Sequence, residues 1–153
     1  MNYKIVIKFI LLISWMTLIF CFSNQNADQS SGMSDGFIYR VSKVVLGEKY
    51  EKITNSKTYD TVVFVVRKSA HIFVYFVLSL IAFSFFYEFY NLDKKVIIFT
   101  IIFCFLYSIT DEIHQYFIPG RSCEIRDILI DTISSSISAC INYFIRKKIK
   151  KSS

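Results

Sequence analysis

Ser108-Ile109-Thr110-Asp111-Glu112-Ile113-His114-Gln115-Tyr116-Phe117-Ile118-Pro119-Gly120-Arg121 closes a long apolar run that begins at Val96. The run is long enough to enter a bilayer, and its end is too polar to be only an anchor. Two carboxylates, an imidazole and an amide stand where a membrane helix reaches the far interface. Pro119-Gly120 turns the chain, and Arg121 follows the turn. Downstream, Asp127 and Asp131 open another apolar run; upstream, Arg67, Lys68 and His71 open a third. Three membrane segments therefore bring ionisable groups to one side of the membrane.

The composition agrees with that reading. Of 153 residues, 54% are hydrophobic and 20% charged, more Phe and Ile than a soluble domain of this size can hide. The length suits one compact unit, taken as a single membrane domain over 1–153. The net charge of +6 does not imply nucleic acid. The densest basic run, Arg146-Lys147-Lys148-Ile149-Lys150-Lys151, directly follows an apolar segment and has no interleaved aromatics. It fits a cytoplasmic stop in contact with anionic membrane lipids. Cys104 and Cys140 lie inside apolar runs as small buried hydrophobes. Cys21 and Cys123 fall toward the outer face, but no spacing pattern argues for an oxidised pair.

The expected fold is all-α: an integral membrane four-helix bundle with spans at about 5–22, 69–89, 96–116 and 125–145. The first apolar run lacks an Ala-x-Ala cleavage site and is read as a retained helix. In the first loop, Phe37, Ile38, Val41, Val44 and Val45 recur at helical spacing and predict a short amphipathic helix. On the last span Asp127, Asp131, Ser134 or Ser135, Ser138 and Asn142 form a polar stripe that should face neighbouring helices. Lys4, Lys8, Lys94, Lys95 and the C-terminal cluster gather on one side, which makes both termini cytoplasmic.

Arg67, His71 and Tyr75 share a helix face at i, i+4, i+8, and Asp111, His114 and Gln115 share another. Glu112 projects about 100° from Asp111. The first reading of these groups is a staple, with Arg67, His71 and Arg121 paired to Asp111 and Glu112 to hold three helices together. The second is a polar pocket in which Arg67, Lys68 and Arg121 suit a phosphate or carboxylate. There His71 or His114, with Asp111 and Glu112, are the acid/base candidates. A divalent metal site from Asp111, His114, Asp127 and Asp131 is disfavoured by the adjacent cations. Ser69, Ser122 and Cys123 have no strained elbow to make them nucleophiles. No phosphate-binding glycine loop or nucleotide motif is present, and no cofactor is expected.

These residues carry a resemblance. Phe22-Ser23-Asn24-Gln25, Arg67-Lys68-Ser69-Ala70-His71 with Tyr75, Asp111-Glu112-Ile113-His114-Gln115 with Phe117, Pro119-Gly120-Arg121, and Asp127 with Asp131 resemble the motifs of the VanZ-like family. The chain departs from that pattern at Asn24, Val74 and Ser134. The resemblance implies a four-span protein of the bacterial cytoplasmic membrane with a polar outer face. It further implies a link to glycopeptide (teicoplanin) resistance or cell-envelope processes. The expected site comprises Arg67, Lys68, His71, Tyr75, Asp111, Glu112, Gln115, Arg121, Asp127 and Asp131. Its expected partner is an anionic envelope precursor or a glycopeptide. The alternatives are a membrane enzyme acting on a lipid-linked or anionic substrate, and a structural or partner-binding bundle.

Overall fold

The computed structural model describes residues 3–25, 32, 36, 57–121 and 123–152, without the side chains of 57–60, 63 and 152. The amphipathic helix expected over 37–45, and Ser122, lie outside the described residues. Those residues form four helices: α1 (Tyr3–Ser23), α2 (Lys57–Tyr90), α3 (Lys94–Tyr116) and α4 (Ile125–Ser152). All four are long and apolar enough to cross a membrane. The protein is a multi-pass, all-helical membrane protein.

Two helices run further than their apolar runs. α2 begins at Lys57 where the expected span starts near 69, so Arg67 and Lys68 lie well inside the same helix as His71. α4 continues through the basic run to Ser152. Hydropathy marks the lipid-facing part of a helix, whereas backbone hydrogen bonding continues past it. Between α2 and α3, Asn91 takes a left-handed conformation (φ 51°). Asp93 then caps α3, its carboxylate accepting from the Lys95 amide at 2.8 Å. Between α3 and α4, the Arg121 amide donates to the Ile118 carbonyl at 3.1 Å. Pro119 and the positive-φ Gly120 (76°) occupy the two central positions of that turn, the type II pattern.

Packing is inverted relative to a soluble bundle. On α4 the residues Ile125, Leu129, Ile133, Ile137, Ile141 and Ile145, four apart, are exposed to what would be lipid. Asp127, Asp131, Ser134, Ser135, Ser138 and Ala139 are buried. The inward stripe meets the backbone of α2. Ser134 Oγ donates to the Ile72 carbonyl at 2.7 Å, Ser135 Oγ to Tyr75 at 3.3 Å and Ser138 Oγ to Phe76 at 2.8 Å. In return Ser79 Oγ donates to the Ser135 carbonyl at 2.7 Å. Lipid is as apolar as leucine, so small residues that let backbones approach, and hydroxyls that bond across, hold membrane helices together.

α1 attaches differently. Only Leu12, Ile19 and Ser23 are buried on it. Its polar ties include the Lys8–Glu88 ion pair, Lys8 Nζ donating to the Ser84 carbonyl at 3.1 Å, Trp15 Nε1 donating to the Val74 carbonyl at 3.0 Å, and Tyr107 Oη donating to the Met16 carbonyl at 2.6 Å. At the same end as Glu88, the Arg146 guanidinium lies 4.6 Å from the centre of the Tyr87 ring.

Candidate functional site

At the opposite end, Arg67, Lys68, His71, Asp111, Arg121, Glu124 and Asp127 gather around two adjoining cavities. The larger, of about 540 Å³, lies where α1, α2, α3 and the α3–α4 turn meet. Ile19, Phe22, Val66, Phe73 and Val74 form its apolar side. Arg67, His71, Tyr75, Asp111, Gln115 and Arg121 form its polar side. The smaller, of about 160 Å³, is lined by Arg67, Lys68, His71, Gln115, Arg121, Glu124 and Asp127 among others. Arg67, His71, Gln115 and Arg121 line both.

The staple exists, but with other partners than the sequence reading gave it. Among the described residues, neither Arg67 nor Arg121 forms an ion pair with Asp111 or Glu112. Lys68 takes that role, pairing with Asp127, and its Nζ lies 3.6 Å from Glu124. Lys68 and Arg67 are about 100° apart on α2, so one can face α4 while the other faces the cavity. Asp111 is answered within its own helix, where Gln115 Nε2 donates to it at 3.1 Å. Glu112 Oε2 accepts from the Glu124 amide at 2.8 Å, tying the turn that carries Arg121.

Behind the cavities stands Asp131, buried, accepting from Ser108 Oγ at 3.0 Å. Its Oδ1 lies 3.7 Å from His71 Nδ1, within ion-pair reach and beyond a good hydrogen bond. His114 is elsewhere: its ring stacks on Phe20 of α1 with centroids 4.4 Å apart. This separates it from Asp131 and from the cavity lining, so the two histidines have different surroundings. Among the described residues no three His, Cys, Asp or Glu side chains are grouped to hold a metal ion. Cys21 and Cys123 are exposed free thiols.

Seven buried polar atoms have no hydrogen-bond partner within the described protein: Ser23 Oγ, His71 Nδ1, Tyr75 Oη, Glu112 Oε1, His114 Nε2, Arg121 Nε and Asp131 Oδ1. All seven belong to this end of the bundle. Structural networks satisfy such groups, so this concentration marks a site with spare donors and acceptors. Burial and the like charge of Arg67 hold the Arg121 guanidinium below its usual pKa, with Asp111 and Glu112 pulling the other way. At the rim, Glu124 is held below the usual carboxylate range, chiefly by Arg126, which donates to it at 2.6 Å. Sequence reasoning missed Glu124 and Ser108 as partners. Both sit three residues before an acid already singled out, Asp127 and Asp111, which is one helical turn.

The profile of the VanZ/LLP1 family matches residues 8–146. The chain belongs to the VanZ/LLP1 family. No curated protein and no solved structure matches it. The matched region contains both VanZ/LLP1 cavities and every residue named around them.

Proposed function

We propose that this VanZ/LLP1 protein binds an anionic group of a cell-envelope component at an extracytoplasmic site. One observation carries the reading. Arg67 and Arg121 line the same cavities, no carboxylate among the described residues pairs with either, and burial together with the charge of Arg67 disfavours the charge of Arg121. Two guanidiniums in such a place suit a phosphate or carboxylate bound through planar forks. The family resemblance connects the site with glycopeptide susceptibility. Growth in teicoplanin and in vancomycin, with and without the gene, tests that connection. In the same strains Arg121→Lys keeps the charge and loses the fork. It is expected to weaken inorganic phosphate binding to the purified protein by about tenfold and to remove most of the susceptibility difference. Equal behaviour of wild type, Arg121→Lys and Arg121→Ala in both assays rules out the fork.

A second reading, a membrane enzyme acting on a lipid-linked or anionic substrate, is favoured by one specific contact. His71 lines both cavities with the Asp131 carboxylate behind its ring, the arrangement that orients a general base. His71→Gln separates the two. A binding protein retains phosphate affinity and phenotype, whereas an enzyme retains affinity and loses the phenotype.

The short basic segments at the other end, Lys4, Lys8, Lys94, Lys95 and residues 146–151, support placement of the site at the outer face. On that placement the protein lies in the bacterial cytoplasmic membrane with both termini inside. Cys123 is native, exposed and beside the site. In a Cys21→Ser background a membrane-impermeant maleimide should label Cys123 in intact cells, and with Cys123→Ser added it should leave Lys94→Cys unlabelled. The reverse pattern would invert the topology.

A further inference from the structure

We infer that the anionic ligand is a membrane amphiphile, a long-chain phosphate monoester whose single hydrocarbon tail lies along the apolar side of the larger cavity. The inference rests on the anion-binding reading above and names the class of molecule. The cavity is divided by chemistry. Arg67 and Arg121 are the cations of its lining, while Phe73 and Val74 lie further along α2 from Arg67, about 10 Å by helix rise, with Ile19 and Phe22 of α1 adding to the apolar lining. Its volume of about 540 Å³ lies within the range of small-molecule sites and exceeds what an inorganic anion fills. Phe22 and Phe73 line it while remaining 47% and 62% exposed, so the apolar side is continuous with the surface that faces lipid.

The two parts have different work to do. A tail gains little by leaving a bilayer for an equally apolar groove. The groove therefore supplies access and not affinity: the phosphate reaches the arginines while its tail stays in a membrane-like environment. Affinity comes from the guanidinium pair. A neutral long-chain alcohol should consequently find no advantage over bulk lipid, and a soluble phosphate should bind without the benefit of membrane concentration.

The only tryptophan reports on this arrangement. Trp15 lies one turn of α1 from Ile19 and bonds the carbonyl of Val74, both cavity-lining residues. A bromine at the tip of a tail in the groove comes close enough to quench it. The experiment uses the full chain in phosphatidylcholine nanodiscs, titrated with ω-bromododecyl phosphate or ω-bromododecanol. Inorganic phosphate binding is measured in parallel by calorimetry. Expected are saturable quenching by the phosphate and only a linear, collisional loss with the alcohol. Arg121→Gln should raise the half-saturating mole fraction about tenfold. Ala70→Phe, which fills the groove, should abolish saturable quenching while inorganic phosphate still binds. Val66→Phe is the second variant should Ala70→Phe fail to give monodisperse protein. Equal quenching by alcohol and phosphate overturns the inference, because the groove is then a general lipid contact. Inorganic phosphate binding that needs Arg121, without saturable quenching, also overturns it but leaves the anion site standing. Binding of neither phosphate removes both.

Discussion

Asp127→Leu will lower the amount of protein in the membrane several-fold, and adding Lys68→Met to it will restore most of the loss. The Lys68 and Asp127 side chains keep only 17% and 10% of their exposure and pair directly. Removing the acid leaves an ammonium stranded among packed helices, which costs about 3–5 kcal/mol. Glu124 lies 3.6 Å from the same nitrogen and recovers part of this, so the lower figure applies. Asp127 also sits in the first turn of α4, where a carboxylate offsets the helix dipole by about 0.3–1 kcal/mol. The double change does not recover that smaller contribution. Against a total stability of about 5–15 kcal/mol, the single change is large. Membrane abundance by immunoblot, with thermal unfolding in detergent, measures both proteins. A double variant no better than the single one would show that the pair is not what holds α2 to α4.

Ser135→Leu is expected to leave no folded protein, and Ser135→Ala to leave nearly all of it. Ser135 is fully buried at the crossing of α2 and α4, donates to Tyr75 and accepts from Ser79 through its carbonyl. Loss of one interhelical hydroxyl bond in a membrane costs on average about 0.6 kcal/mol, and alanine keeps the close approach. Leucine does not fit between backbones bridged by serine hydroxyls at 2.7–3.3 Å. It would force the helices apart, break the flanking Ser134 and Ser138 bonds and shift His71 relative to Asp131. Overpacking alone costs about 1–3 kcal/mol, and the lost hydrogen bonds add to it. Size-exclusion profiles of the two variants decide the matter. A monodisperse Ser135→Leu with wild-type melting would mean that the serine stripe does not set the spacing.

The spans were legible because a bilayer imposes a length on apolar runs, and the α4 stripe because helical spacing puts Asp127, Asp131, Ser135 and Ser138 on one side. Ion-pair partners were not. Spacing along α2 tells which residues share a face with Arg67, but nothing in it fixes the depth at which α4 passes. That depth, set by the serine contacts, brings Asp127 to Lys68 and leaves Arg67 to the cavity. For the same reason the two histidines looked equivalent in the sequence. The packing distinguishes them: α1 covers His114 with Phe20, and α4 sets Asp131 behind His71. The Lys8–Glu88 pair, between residues 80 positions apart, left no local trace at all.

The light attachment of α1 has a consequence for biogenesis. This helix is made before the three it packs against, and its polar ties to them are to residues made later: Val74, Ser84, Glu88 and Tyr107. Until α2 and α3 have been synthesised it waits in lipid as an independent span, stable there because its own backbone is satisfied. The close α2–α4 contact forms only when the last helix arrives. α1 is therefore not committed to its place by its own synthesis, and the wall it gives the larger cavity is completed by docking.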